Sequence, residues 1–216
     1  MAFTAYNDNL VITHSQSSIG PNISIKECFD WTVAAIALVL LAPVFLAVAV
    51  AIKRESRGPV FFRQRRNGIG GSVFHVWKFR TMSVMEDGGT VTQATRNDSR
   101  VTRVGAFLRK TSIDELPQLI NVLRGEMALV GPRPHAIAHN EYYGAQIANY
   151  MEREAVKPGI TGWAQINGHR GETQKLSQMI DRVEHDVWYI RNQSMLLDLK
   201  IILLTPIFGL VHRNAF

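Results

Sequence analysis

Trp31-Thr32-Val33-Ala34-Ala35-Ile36-Ala37-Leu38-Val39-Leu40-Leu41-Ala42-Pro43-Val44-Phe45-Leu46-Ala47-Val48-Ala49-Val50-Ala51-Ile52 runs for 22 residues without a charge. As a helix rising about 1.5 Å per residue it reaches roughly 33 Å, enough to cross the hydrocarbon core of a bilayer. It is not a cleaved signal peptide: it starts some thirty residues into the chain, and it exceeds an apolar leader core of roughly 7–15 residues. No small-x-small cleavage pattern precedes a mature segment. Pro43 sits at its centre and removes the amide that would bond the carbonyl of Val39, so a kink is expected there. A straight path would span the membrane and a kinked one could return to the face it entered. The run itself leaves both open.

The charge on either side of the run sharpens this. The chain carries a net +6 over 216 residues, unevenly distributed. Lys53, Arg54, Arg57, Arg63, Arg65, Arg66, Lys78 and Arg80 follow the run with Glu55 as the single anion among them. A basic block suits nucleic acid, anionic lipid or a phosphorylated substrate. One that begins where an apolar helix ends favours the membrane, because juxtamembrane cations mark the cytoplasmic face and attract anionic headgroups. The single Cys28 excludes an internal disulfide framework and a cysteine zinc site.

Outward from this segment the pattern is mixed. Residues 1–25, rich in Asn, Ser, Thr and Gly, read as a loosely ordered tail. Residues 60–64 and 73–79 read as two short strands joined by a hairpin-type turn through Asn67-Gly68 and Gly70-Gly71. Residues 86–100 lack periodicity and form a long loop. A short helix is predicted over 114–123, with Ser112 as N-cap and Glu115 completing a capping box. A buried strand at 127–130 ends in Gly131-Pro132-Arg133-Pro134, followed by a helix over 135–154 and a structured Gly/Pro loop over 156–170. Leu176, Met179, Ile180, Val183, Val187 and Ile190 share one helical face. The last apolar stretch, 195–211, is interrupted by Asp198, Lys200 and Pro206. It suits an interfacial helix or a buried core helix.

The residues that can carry chemistry centre on Asp114-Glu115, within Thr111-Ser112-Ile113-Asp114-Glu115-Leu116-Pro117-Gln118. Acidic residues in a first helical turn are ordinarily a stabilising cap. Here Arg103, Arg109 and Lys110 precede the pair, Arg124 follows it and Arg133 lies in its own turn. Cations keep neighbouring carboxylates ionised and also bind phosphates. One ionised carboxylate can attack phosphorus while the other holds a divalent metal. Lys78 and Arg80 alternate with aromatics in Trp77-Lys78-Phe79-Arg80. That fits a half-buried strand with a cationic face, and no recognisable nucleic-acid module surrounds it. His135 and His139 stand four apart without the intervening Glu of a metalloprotease helix, and no Walker loop, dinucleotide fingerprint or nucleophile elbow is present.

Across residues 26–204 the chain resembles the bacterial sugar transferases, monotopic polyprenyl-phosphate phosphoglycosyl transferases. The resemblance rests on Lys26-Glu27-Cys28-Phe29-Asp30, Gly58-Pro59-Val60-Phe61-Phe62-Arg63-Gln64-Arg65-Arg66, Lys78-Phe79-Arg80-Thr81-Met82 and Leu108-Arg109-Lys110-Thr111-Ser112-Ile113-Asp114-Glu115-Leu116-Pro117-Gln118. It continues through Asn121-Val122-Leu123-Arg124-Gly125-Glu126 to Arg133-Pro134 and through Lys157-Pro158-Gly159-Ile160-Thr161-Gly162-Trp163-Ala164-Gln165-Ile166-Asn167-Gly168.

The resemblance implies an α+β fold: a small membrane-associated cytosolic catalytic domain with one N-terminal kinked re-entrant helix and amphipathic interfacial helices. On that reading 1–25 is the tail, 26–54 the membrane helix and 55–216 the catalytic domain, on the cytoplasmic face of the bacterial inner membrane. It implies transfer of a hexose-1-phosphate from a UDP-sugar, glucose or galactose, to undecaprenyl phosphate with release of UMP. Asp114 would be the nucleophile and Glu115 would assist Mg2+. Lys78, Arg80, Arg109 and Arg133 would hold phosphate, and Pro43 would break the helix, although the family's Ser-Pro is Ala42-Pro43 here. The partners implied are the two substrates and inner-membrane lipid, with no nucleic acid; a homodimer is left open. A nucleotide-sugar hydrolase and a non-enzymatic scaffold for polysaccharide assembly are the competing classes.

Overall fold

The computed structural model describes residues 24–83, 98–171, 173 and 175–211. The predicted tail, apart from its last two residues, and most of the predicted 86–100 loop lie outside them.

The apolar run lies within α1, Ile25–Glu55. Ser24 starts it: the hydroxyl accepts from the amide of Glu27, and the Glu27 carboxylate accepts from the amide of Ser24. This reciprocal cap satisfies two of the donors a helix start leaves unpaired. The helix runs as one element through Pro43. Ala34, Leu38, Leu41, Phe45, Val48 and Ile52, spaced four and three apart, pack inward on two parts of the core. Ile36, Val39, Leu40, Leu46 and Val50 point outward and are exposed. Water penalises so much exposed apolar surface on one helix. The element has the length, composition and exposure of a membrane-embedded helix, with its inner stripe docked on the rest of the chain.

Among the described residues, two small sheets and six further α-helices follow α1. Strands β1 (Phe61–Asn67) and β2 (Val73–Phe79) form the predicted hairpin, antiparallel with Phe61 opposite Phe79 and Arg63 opposite Trp77. Helix α2 (Arg103–Thr111) follows, then α3 (Gln118–Leu123) and β3 (Ala128–Val130). The helix predicted over 135–154 is two pieces: α4 (Ile137–Gly144) and a 3-10 segment, Tyr150–Ala155. The helix ends at Gly144, and Ala145 to Asn149, with Ile147 buried in the core, connect it to the 3-10 segment. The Gly/Pro loop over 156–170 contains β4 (Gly159–Thr161), parallel to β3, and the single-turn α5 (Trp163–Ile166). Helices α6 (Leu176–Arg191) and α7 (Met195–Val211) are the last of the described elements.

Glycine fixes how closely the two loops around the small parallel sheet approach. A Cβ added at Gly159 would lie 2.1 Å from the amide nitrogen of Gly131, so the Gly-Pro-Arg-Pro turn and the Lys-Pro-Gly segment are pressed together. Met179, Val183 and Val187 of α6 are buried as the periodicity predicts. In α7, Asp198 is buried and accepts from the Tyr189 hydroxyl (2.6 Å) and Lys26 (2.6 Å), tying α7 to α6 and to the start of α1. Leu196, Leu199, Leu203 and Ile207 remain exposed.

Candidate active site

Helix α2 delivers the acidic pair. It stops at Ser112, which has φ 59° and ψ 15°, the one non-glycine residue among those described with a left-handed backbone. A side chain there is strained, and such strain persists only when the surroundings impose it. The imposed partner is Arg170, whose Nη2 donates to the Ser112 hydroxyl at 2.5 Å. Ser112 therefore does not cap the following helix through its side chain, and the predicted capping box with Glu115 is absent. Instead Ile113–Glu115 make a single 3-10 turn before α3. That turn buries both carboxyls, Asp114 to 9% exposure and Glu115 to 7%.

The two neighbours have different surroundings. Glu115 is held by three charge-assisted hydrogen bonds. Lys78 on β2 donates to Oε1 at 2.8 Å, and Arg133 donates to Oε2 at 2.8 Å and also to Oε1, a two-pronged guanidinium–carboxylate pair. No hydrogen bond to the Asp114 carboxyl is found among the described residues. Burial, and then the negative charge of Glu115, push Asp114 up to about 6, against the pull of Lys78, Arg133 and Arg109. Burial also works against ionised Glu115, but Arg133 and Lys78 outweigh it and hold Glu115 well below the usual carboxylate range. The Lys78 ammonium is pushed down by its burial, with Glu115 opposing. The site thus holds one permanent anion locked to two cations beside a second carboxyl that titrates near neutrality.

Lys78 is held in register from behind. Asn121 of α3, fully buried, accepts from the Trp77 amide at 3.0 Å and donates to the His75 carbonyl at 2.7 Å, fixing the strand around Lys78.

Of the six residues expected at the site, Asp114, Glu115, Lys78 and Arg133 come together, and the charge of Arg109 reaches Asp114. Arg80 goes elsewhere. It is buried, and its guanidinium donates to the carbonyls of Ser56 and Arg57 and to the Ser56 hydroxyl, closing the C-terminal end of α1. Strand alternation put Lys78 and Arg80 on one face but could not say that Arg80, just past the end of β2, meets the C-terminal end of α1 and not the acidic pair. Arg170 was missed. Its only sequence signal is a cation between two glycines, Gly168 and Gly171, in a loop; both have positive φ.

No group of three or more metal-ligating side chains gathers among the described residues. The oxygen donors present, Asp114 and Glu115, suit Mg2+, which binds through one or two carboxylates plus substrate phosphates and keeps several waters.

A membrane-length helix is docked on a small α+β body that carries a paired-carboxylate site ringed by cations. The chain belongs to the bacterial sugar transferase family, whose model matches residues 21–212. It is 56% identical over 197 residues to the UDP-glucose:undecaprenyl-phosphate glucose-1-phosphate transferase of Escherichia coli (strain K12), covering 91% of this chain and 42% of that protein. It is 42% identical over 199 residues to an exopolysaccharide production protein of Rhizobium leguminosarum bv. phaseoli, covering 90% of this chain and all of that protein. A UDP-N-acetylgalactosamine-undecaprenyl-phosphate N-acetylgalactosaminephosphotransferase of Aeromonas hydrophila is 43% identical over 182 residues, or 84% of this chain and 42% of its own length. The chain thus spans about two fifths of several of the transferases it matches.

Proposed function

We propose that this chain transfers glucose-1-phosphate from UDP-glucose to undecaprenyl phosphate, releasing UMP, at the cytoplasmic face of the bacterial inner membrane. The observation that carries the reading is the unequal carboxyl pair: Glu115 locked to Lys78 and Arg133, Asp114 unbonded and titrating near neutrality. Glucose is taken as the donor because relatives named for UDP-glucose reach 56% identity, against 43% for one named for UDP-N-acetylgalactosamine.

The proposed step is a displacement at phosphorus. An oxygen of the ionised Asp114 attacks the β-phosphorus of the donor; the bond from that phosphorus to the bridging oxygen breaks, and UMP leaves with the electron pair. A phosphate oxygen of the lipid then attacks the same phosphorus, the bond to the Asp114 oxygen breaks, and the carboxylate is restored. Arg133, Lys78 and Arg170 face the diphosphate and hold its charge without needing to reorganise. Mg2+, held through Glu115 together with donor phosphate oxygens, would neutralise phosphate charge.

Helix α1 and the exposed face of α7 seat the site at headgroup depth, where the lipid phosphate lies. On this reading α1 is re-entrant, with the cations from Lys53 onward on the cytoplasmic side.

Purified full-length chain given UDP-glucose, Mg2+ and undecaprenyl phosphate is expected to release UMP over many turnovers, and without the lipid to release no more than about one UMP per chain. Continued UMP formation with water as acceptor would make it a hydrolase, and faster turnover of UDP-galactose would replace the donor. For the membrane path, cysteines placed by Gly20→Cys and by Val60→Cys in a Cys28→Ser background should both escape a periplasmic thiol reagent. Labelling at position 20 alone would show a spanning helix.

A further inference from the structure

Behind the site lies a second set of charged groups that the proposed chemistry does not use. Arg153, in the 3-10 segment Tyr150–Ala155, is 6% exposed. Its Nε donates to Asp186 of α6 at 2.8 Å, its Nη2 donates to the carbonyl of Arg133 at 2.7 Å, and its Nη1 lies 3.0 Å from Nδ1 of His135. One turn earlier on α6, Arg182 is 7% exposed and its Nη2 donates to the carbonyl of Gly171 at 2.8 Å. Those two carbonyls belong to Arg133 itself and to the residue following Arg170. They are the chain positions that carry the two site guanidiniums.

We propose that Arg153 and Arg182 are positioning residues, gripping from α6 and its neighbour the main chain on which Arg133 and Arg170 are mounted. This rests on the phosphosugar-transfer reading only in the name of the ligand that the two arginines meet.

Two physical arguments favour positioning over plain stability. A buried ionic cluster is a poor source of folding free energy, because desolvation offsets most of the Coulomb gain and apolar packing would serve as well. Arg153, with a carboxylate, a carbonyl and a histidine around one guanidinium, tolerates one arrangement and so specifies geometry; Arg182 holds its loop through the bond to Gly171, its Nε buried without a partner. The Arg133 turn is pinned on either side, at Pro132 by the Gly159 amide and at Pro134 by Arg66, which leaves the Arg133 carbonyl between them to Arg153; Gly171, with φ 103°, presents its carbonyl to Arg182. The His135 ring supports the grip by staying neutral. Burial and the nearby Arg153, then Arg182, Arg66 and His139, hold it well below its ordinary range, so it adds no cation beside Arg153; its Nδ1 lies 2.6 Å from the Tyr150 hydroxyl and 3.0 Å from Arg153.

The test is a pair of double-substitution cycles on the full-length chain in detergent. Arg153→Lys keeps the charge but cannot reach Asp186, His135 and the Arg133 carbonyl together. It should lower kcat/KM for UDP-glucose about 10–100-fold, in line with the cost of a misplaced binding group. In an Arg133→Gln background the same change should cost less than about threefold more, because coupled residues do not add. Arg182→Lys with Arg170→Gln should behave alike. Asp186→Asn, nearly isosteric, gives a milder release of Arg153 and should follow the same coupling if Arg153→Lys folds poorly. Losses that simply multiply in both cycles would overturn the proposal. Repeating the cycles on the dissociation constant for inorganic pyrophosphate removes turnover from the measurement. Coupling there in a wild-type chain that releases no UMP would fell the transfer reading and keep the positioning. Multiplying losses in a chain that does turn over would do the reverse.

Discussion

The Arg133 turn touches two charge clusters of similar composition, and they are finished differently. On the dyad side the Lys78 and Arg133 side chains keep 20% and 25% of their surface exposed, and Asp114 has no hydrogen-bond partner among the described residues. On the α6 side Arg153 and Asp186 keep 5% and 3%, and the Arg153 guanidinium is spent on a carboxylate, a carbonyl and a histidine. A cluster that saturates its donors can only hold things still. A cluster that leaves a carboxyl unbonded and cations partly open has charge available for a ligand. The same residue types therefore become scaffold or site according to how completely their hydrogen bonds are used.

Removing the unspent group should break the comparison most severely. Asp114→Asn keeps the volume and loses the attacking charge, so turnover should fall by about 1,000-fold or more. Wild-type chain incubated with donor labelled in the sugar should retain label on the protein and lose it on adding undecaprenyl phosphate, while Asp114→Asn should never acquire it. Activity within tenfold of wild type would end the nucleophile assignment. UMP that appears only once both substrates are bound would mean direct attack by the lipid, with Asp114 acting as base or metal ligand.

A smaller effect separates two cations that the sequence treats alike. Lys78→Met should reduce kcat/KM about 10–100-fold, since it strips the charge facing the ligand, and should lower the unfolding temperature as well because Glu115 loses one of its two cations. Arg80→Met should leave KM near wild type and lower stability by about 1–3 kcal/mol, because the carbonyls of Ser56 and Arg57 lose a buried donor. A matching kinetic defect in Arg80→Met would return Arg80 to the site.

The fate of Arg80 marks the boundary of what sequence reading reaches here. The apolar run, the hairpin, the α6 stripe and the acidic pair within a cationic frame were legible because each is a local pattern with a fixed period or spacing. The residues of α1 from Ala34 to Ile52 even carry the docking stripe in their four-three spacing. Arg170 was illegible because it lies 58 residues from the serine it bonds, in a loop with no periodicity. The failed capping box has the same cause: Ser112 has the right identity and spacing, but a distant arginine claims its hydroxyl and a left-handed backbone turns it away. The α5 turn and β4 were hidden by prolines and glycines that read as loop, although those glycines allow β3 and β4 to approach.

The smallest expected effect is on stability, and it reads the two carboxyls against each other. In the folded chain Asp114 holds its proton up to about 6, against an ordinary value of 3.8. Its ionised form is therefore a cost to the native state at any pH above about 6. The cost fades as the folded carboxyl protonates and is gone below its ordinary value. A shift of this size is worth about 2–3 kcal/mol at most. Asp114→Asn should then raise the unfolding temperature of Mg2+-free protein in detergent by several degrees at pH 7.5, at about 2–4 °C per kcal/mol for a chain of this length. At pH 4 the gain should disappear. Glu115 has the opposite sign. Its folded value lies well below the ordinary 4.5, so its ionised form stabilises the native state above that pH, and the benefit is lost on acidification through the folded value. Glu115→Gln should lower the unfolding temperature at pH 7.5 and leave Arg133 and Lys78 without their shared acceptor. Because the Glu115 charge is itself part of what raises Asp114, the double substitution should fall short of the sum of the two. If Asp114→Asn is neutral or destabilising at pH 7.5, the carboxyl is not held at an energetic cost, and its burial beside Glu115 is no sign of a group poised to react.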